Sequence, residues 1–275
     1  DWLEQLLAES TGKGGKGIVP VIEAGPKAAA AYGTDRVLVL LDGPGGDEGL
    51  GELAAALEET DQPFVRIVLN DLYDLGGELF RWEIATAAAG AVLGVQPFDQ
   101  PDVQLAKDLT RRAMSGGLNP EPSEERLLAV RAADGGRLRQ VLSSWLASSR
   151  GGDYLSIQAF LEPDAESFGV LERLQARLGA RTGRAVTLGY GPRFLHSTGQ
   201  LHKGGPDSGL FLQLVDDPPQ DLPVPESDFS FGRLIRGQAD GDAAALIQRG
   251  RRLLRVELGS DAPAGLDRLL EALSD

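Results

Sequence analysis

Both histidines of the chain fall within ten residues, Leu195-His196-Ser197-Thr198-Gly199-Gln200-Leu201-His202-Lys203-Gly204. Imidazole is the side chain best suited to moving protons near neutral pH. A chain of 275 residues that keeps both in one Gly/Ser/Thr-rich loop points to chemistry there. The lysines point the same way. Only five of the 27 basic residues are Lys (13, 16, 27, 107 and 203), mostly beside Gly-rich or Pro-flanked stretches. A compact ammonium cannot be exchanged for a planar guanidinium where its pKa or point charge matters. Three regions are singled out: 9–17, 96–107 and 195–205.

Together these regions offer a carboxylate, an amide, an amine and an imidazole. Glu9 ends an N-terminal helix just before a Gly-rich stretch, at what would be a cleft edge. Gln100 and Lys107 are seven apart, two turns of a helix opening at Pro101, so they share one face. Such a set can open a sugar ring and shuttle a proton between adjacent carbons. Each group also has a plainer reading: Glu9 as a solvated helix end, Gln100 and Lys107 as a surface polar stripe, His196 as a hydrogen-bonded loop residue. Other chemistries find little support. Ser10 to Gly17 lacks the Walker A spacing, and Gly43 to Glu48 fails the dinucleotide fingerprint at its third glycine. There is no G-x-S-x-G elbow. His196 and His202 are six apart, which is not a helical metal-ligand spacing, and no Cys is present to complete a site. No metal and no cofactor is expected.

The elements that must hold these residues alternate. Residues 36–41 (RVLVLL) and 63–69 (PFVRIVL) read as strands, each followed by a helical pattern, at 50–59 and 74–93. Residues 101–114 open a helix with Pro at its first position, where the missing N–H costs nothing. Residues 115–122 read as a linker-like break, and 124–133 and 136–148 as helical. A second α/β set, 150–275, follows: strands at 153–161, 184–188, 209–215 and 253–258, helices at 166–181, 240–250 and 262–273, and a Pro/Asp-rich loop at 218–227. The alternation predicts an α/β fold, a three-layer α-β-α sandwich with a mostly parallel sheet. Ligands in such sheets bind beyond the carboxyl ends of the strands, where the histidine loop emerges.

Composition narrows the partners. A formal net charge of −14 weighs against nucleic acid or an anionic membrane, while leaving room for a local basic pocket around a phosphorylated small molecule. No apolar run is long enough for a membrane span and no signal peptide is visible, so the chain reads as cytoplasmic. The sequence opens inside an amphipathic helix (residues 1–8, DWLEQLLA), and its single Met is Met114. Both suggest a piece of a longer protein.

The three regions resemble signatures of one enzyme family. Glu9-Ser10-Thr11-Gly12-Lys13 with Lys16-Gly17-Ile18-Val19-Pro20 resembles the E-S-x-G-K…K-G-I-x-P segment of bacterial glucose-6-phosphate isomerases. Pro97-Phe98-Asp99-Gln100-Pro101-Asp102-Val103 with Lys107 resembles their P-F-D-Q-P-x-V-x-x-x-K signature. Leu195 to Gln200 resembles L-H-S-x-G-Q. The resemblance is strongest to the isomerase portion of proteins in which that enzyme is fused behind transaldolase, because the histidine motif comes last here. In the ordinary isomerases it lies between the other two.

The resemblance implies a sugar-isomerase (SIS-like, Rossmann-like) lobe acting on a sugar phosphate without a cofactor. Glu9 would be the base, His196 and Lys107 would open the ring, and Gln100 would bind substrate hydroxyls. Lys13, Gln200, His202 and Lys203 match as further substrate-side candidates. The family's other lobe, with its phosphate loop and G-G-R motif, has no counterpart in the sequence: Gly135-Gly136-Arg137 continues with Leu138. The expectation is therefore a C-terminal lobe that needs an N-terminal half, with a transaldolase domain in the parent chain and a homodimer as a further possibility. A sugar-phosphate-binding module without turnover, or an interaction module partnering transaldolase, are the alternatives.

Overall fold

A computed structural model describes residues 2–23, 25–116 and 127–274; the side chains at 102–104, 106, 107 and 127 fall outside that description. In chain order the elements are α1 (Trp2–Thr11), β1 (Leu38–Asp42), α2 (Glu48–Glu59), β2 (Phe64–Val68), α3 (Asp74–Leu93), α4 (Pro101–Met114), β3 (Leu127–Arg131), α5 (Gly135–Ala147), β4 (Tyr154–Phe160), α6 (Ala165–Thr182), β5 (Val186–Tyr190), α7 (Gly199–Gly204), β6 (Gly209–Asp216), α8 (Phe231–Gln248), β7 (Arg252–Gly259) and α9 (Ala262–Ala272). Side-chain caps fix several helix starts. Asp47, Asp164, Ser230 and Asp261 each accept a hydrogen bond from the backbone N–H three residues on, opening α2, α6, α8 and α9. No described helix is long and apolar enough to cross a membrane.

Five strands form one parallel sheet in the order β3-β7-β6-β4-β5. Because side chains alternate along a strand, its two faces carry different chemistry. Leu155, Ile157 and Ala159 of β4, Leu210, Leu212 and Leu214 of β6, and Leu254 and Val256 of β7 face one way. They form a dry core with Leu138, Leu142 and Trp145 of α5, Leu171 and Leu174 of α6, and Leu266 and Leu269 of α9. The opposite face presents Ser156 and Gln158 of β4, Gln213 of β6 and Arg255 of β7, with Gln158, Gln213 and Arg255 in neighbouring register. Helices α7 and α8 cover this polar row, and aromatic residues close its ends. Tyr154 and Phe211 pack with Leu246 at one end, Phe160 and Phe194 with Val215 at the other.

The remaining strands, β1 and β2, pair in parallel as a separate two-stranded sheet. Among the described residues, Leu53, Ala54 and Leu57 of α2 cover one of its faces, against Leu38 and Leu40, while Val39 and Leu41 on the other stay exposed. Helix α3 is inverted: Glu78, Thr86 and Gly90 are its buried residues, while Phe80, Ile84 and Val92 are 64%, 57% and 89% exposed.

Two stretches differ from their sequence patterns. Residues 124–133 read as helical, but 127–131 form β3, paired along β7 from Leu127↔Leu253 to Arg131↔Glu257. Leu and Ala favour helices, and pairing on a sheet edge overrides that preference. Helix α8 begins at Phe231, nine residues before the pattern suggests. Its glycines at 232, 237 and 241 depress helix propensity; a Cβ would crowd a neighbour at all three, and at 241 that neighbour is backbone. The break at 115–122 falls mostly outside the described residues.

The contrast between the dry core of the five-stranded sheet and the exposed side of β1 predicts where truncation is costly. Leu212→Ala, in the dry core, should lower unfolding free energy by about 2–5 kcal/mol. Val39→Ala, on the open face of β1, should change it by less than about 0.5 kcal/mol. Urea titration of both variants measures the contrast.

Candidate functional site

Helix α1 ends at Thr11, whose hydroxyl donates to Leu7 O at 2.6 Å and accepts from Ile18 N at 3.0 Å. This closes residues 11–18 into a compact loop. Gly12 lies directly on α7: a Cβ there would come within 2.4 Å of Leu201 Cα, so only Gly permits the contact. Gln200 donates from Nε2 to Gly12 O at 2.8 Å, and Gly15 N donates to Gly204 O at 2.9 Å. The first and third motifs, almost 190 residues apart, are thus bonded to each other.

The second motif joins them through Lys13. Its buried ammonium donates to the carbonyls of Gln96 (2.9 Å), Pro97 (3.1 Å) and Asp99. An ammonium carries three hydrogens, and these three carbonyls take them all. Burial pulls the Lys13 pKa down, opposed by the nearby charges of Asp99 and Glu9. Glu9 thus acts on Lys13 electrostatically, and Gln5 Nε2 donates to its Oε2 at 3.1 Å. Lys16 donates to Leu93 O at 2.5 Å, at the end of α3. Gln100 is exposed at the start of α4, and Lys107 lies two turns along that helix with its side chain outside the description.

The two histidines sit in opposite surroundings. His196 ends a 3-10 turn, Arg193–His196, and is exposed. Arg193 of that turn acts electrostatically on Glu4 of α1, whose pKa burial raises. His202 is fully enclosed, 3.2 Å from Gln158 Nε2 through Nδ1 and 3.4 Å from Ser156 Oγ through Nε2. With the Gln158 amide donating, Nδ1 accepts and the ring is neutral. Burial, with the charges of Lys203 and Arg251, drives its pKa well below the usual value. Tyr154, Phe194 and Phe211 surround it at centroid distances of 5.1 to 6.4 Å.

Lys203 is also internal. Its Nζ lies 2.6 Å from Asp242 Oδ1 of α8, with both side chains buried, and 3.2 Å from Gly199 O. Arg251 closes the carboxyl end of α7 by donating to the carbonyls of His202 (3.0 Å), Lys203 (2.8 Å) and Gly205 (2.6 Å). A cation at a helix carboxyl end also suits its dipole.

These contacts run against the expectation that Lys13, Gln200, His202 and Lys203 meet substrate. Each is buried, and each directs polar atoms at the chain's own groups. Glu9, Gln100 and His196 keep exposure. Asp242 and Arg251 went unread in the sequence. An Asp inside a helix and an Arg opening a strand carry no motif, and only their burial reveals them. At the carboxyl end of β6, where the strand order reverses between β4 and β6, burial raises Asp216 to about 6, aided by Asp217 and Glu162. Among the described residues, no three His, Asp or Glu side chains cluster as a metal would require.

The chain is similar to glucose-6-phosphate isomerases. It is 33% identical over 150 residues to that of Symbiobacterium thermophilum, covering 39% of this chain and 32% of the relative. It is 29% identical over 151 residues to that of Enterococcus faecalis, with the same two coverages, 39% and 32%. To a probable glucose-6-phosphate isomerase of Methanococcus maripaludis it is 26% identical over 151 residues, covering 42% and 34%. The chain thus spans about a third of the length of these curated relatives. No family model matches. A hypothetical protein of Thermus thermophilus aligns with 98% of this chain and 73% of its own at 16% identity, with a TM-score of 0.44.

The neutral His202 makes stability depend on pH with a definite sign. Below about 6.5 the unfolded chain protonates this histidine and the folded chain does not. Its contribution is therefore complete above that pH and is lost as pH falls, with a slope approaching about 1.4 kcal/mol per unit. Asp216 acts oppositely: its raised pKa contributes stability at low pH that is lost as pH rises through about 6. Urea titrations from pH 5 to 6.5 should show wild type gaining on His202→Gln as pH rises. A constant difference would mean that His202 titrates alike in both states.

Proposed function

We propose that this chain is the C-terminal catalytic lobe of an aldose–ketose isomerase that interconverts glucose 6-phosphate and fructose 6-phosphate. The observation that carries this reading is the meeting of three segments that resemble one family's signatures. Lys13 binds the carbonyls of loop 96–99, and Gln200 binds Gly12. Similarity to curated isomerases over about two fifths of the chain supports it independently.

In this reading Glu9 takes the proton from one of the two carbons, C1 or C2, and returns it to the other through a cis-enediol. His196 and Lys107 move protons at the ring oxygen and the anomeric hydroxyl, and Gln100 orients substrate hydroxyls. A carboxylate, an amine and an imidazole suffice for these transfers, so no cofactor is required. His196 suits proton exchange with a ligand because it is exposed; His202, enclosed and hydrogen-bonded on both nitrogens, does not. Lys13, Gln200, His202 and Lys203 are assigned to holding the motif segments in place.

The lobe is incomplete in this reading. The G-G-R look-alike at Gly135 forms the first turn of α5, and the Leu138 that follows is in the core. The open face of β1–β2 and the apolar outer side of α3 are surfaces that a further α/β lobe would cover. The late position of the histidine motif supports a parent fused behind transaldolase, with homodimerisation as a further proposal.

With fructose 6-phosphate, the chain alone should turn over near the uncatalysed rate, and activity should appear when it is joined to an N-terminal isomerase lobe. In the active form, Glu9→Gln should lower kcat by about 10²- to 10⁴-fold and His196→Ala by about 10²-fold. His202→Gln should act mainly through stability. Full activity in Glu9→Gln, or a larger catalytic loss at His202 than at His196, would overturn these assignments.

A further inference from the structure

Five segments form a closed ring of contacts around the candidate site. Helix α8 holds α7 through Asp242 and Lys203, 2.6 Å apart. Helix α7 holds residues 12–15 through Gln200, Leu201 and Gly204. Lys13 holds loop 96–99. That loop runs into α4 at Gln100 and Pro101, and α4 packs back on α8. At this last joint a Cβ on Gly241 would lie 2.7 Å from Thr110 N and 2.8 Å from Thr110 Cα, so the α4 backbone rests directly on α8. Thr110 is about one turn beyond Lys107. Every segment of the ring except α8 carries one of the three motifs.

We infer that Gly241 and Asp242, adjacent on α8, are positioning residues for the site. Gly241 sets how closely the helix bearing Lys107 approaches, and Asp242 sets where α7 lies and, through it, the loop beside Glu9. Neither reaches a group assigned to proton transfer. The assignment rests on the isomerase reading only for what the motifs do; the ring itself does not depend on it. An ion pair suits this task because parting its partners would strand two buried charges, which keeps α7 beside α8. Apolar contacts would allow α7 to slide or roll.

Two sets of variants test the inference by amide hydrogen exchange on the chain as it stands. Lys203→Met/Asp242→Leu removes both charges at similar volume, a replacement that commonly preserves folding, whereas either single change would strand a buried charge. Exchange in residues 9–17 and 96–100 should rise about tenfold or more, while β4 and β6 stay within about twofold of wild type. Gly241→Ala should likewise speed exchange in 96–100. Gly237→Ala is its control, because the only close approach of the added Cβ is to the movable Met114 side chain, Cγ at 2.7 Å, with the backbone N at an ordinary 3.9 Å. If the double variant does not fold, the Gly241/Gly237 comparison decides alone.

No change in the motif segments, or a rise spread evenly through the sheet, would overturn the inference. In an active form of the protein, both α8 changes should lower kcat about tenfold with KM altered less than about threefold. Absence of any sugar-phosphate turnover would sink the isomerase reading while leaving the exchange result to stand or fall by itself.

Discussion

The arrangement hangs on one buried ion pair, Lys203 with Asp242. Two charges held out of water cost several kcal/mol each before their attraction is counted, and an apolar pair would often be as stable. The ion pair adds direction. At 2.6 Å it ties a six-residue helix, too short to hold itself, to α8, while Lys203 also bonds Gly199 O within its own helix. Arg251 then satisfies three carbonyls at the end of that helix. With α7 fixed, Gly12 can lie against its backbone, and with Gly12 fixed, Lys13 reaches loop 96–99.

The sheet divides its labour between two faces. One is a dry leucine-rich core that supplies most of the cohesion. The other is a row of polar groups, Ser156, Gln158 and Gln213 buried and Arg255 half-buried, whose partners lie on α7 and α8. Gln213 gives its amide to Ala239 O and accepts from Arg255, which also reaches Asp240. Polar groups buried this way must be matched closely or they destabilise. The face that carries them therefore specifies where its helices sit, and the motif segments are built on those helices.

Much of this was legible in the sequence. Continuous apolar runs marked β1, β2, β4, β6 and β7, and helical spacing with Pro101 at the first position marked α4, because burial and backbone chemistry leave local traces. The misreadings are local patterns overruled at a distance. Leu127 to Val130 looks helical until β7 lies beside it. The first half of α8, with Gly232 and Gly237, escapes the helical pattern, until Gly237 proves to be a contact point with α4. The three motifs could be found by eye, but the work of their residues could not. Lys13 and Lys203 read as ligand-binding cations, and the partners that occupy them are 83 or more residues away for one and on a motif-free helix for the other. No local pattern encodes such a pairing.

Of the candidate site residues, Gln100 and His196 are exposed and Glu9 is half-buried, and the account stands on their facing one sugar. A crystal structure of the chain joined to its complementary lobe, with fructose 6-phosphate bound, tests this most directly. The account predicts the Glu9 carboxylate within about 3.5 Å of both C1 and C2, Gln100 on the sugar hydroxyls, and His196 toward the ring oxygen. A sugar bound with Glu9 turned away from C1 and C2, or with His202 rather than His196 at the ring, would contradict it.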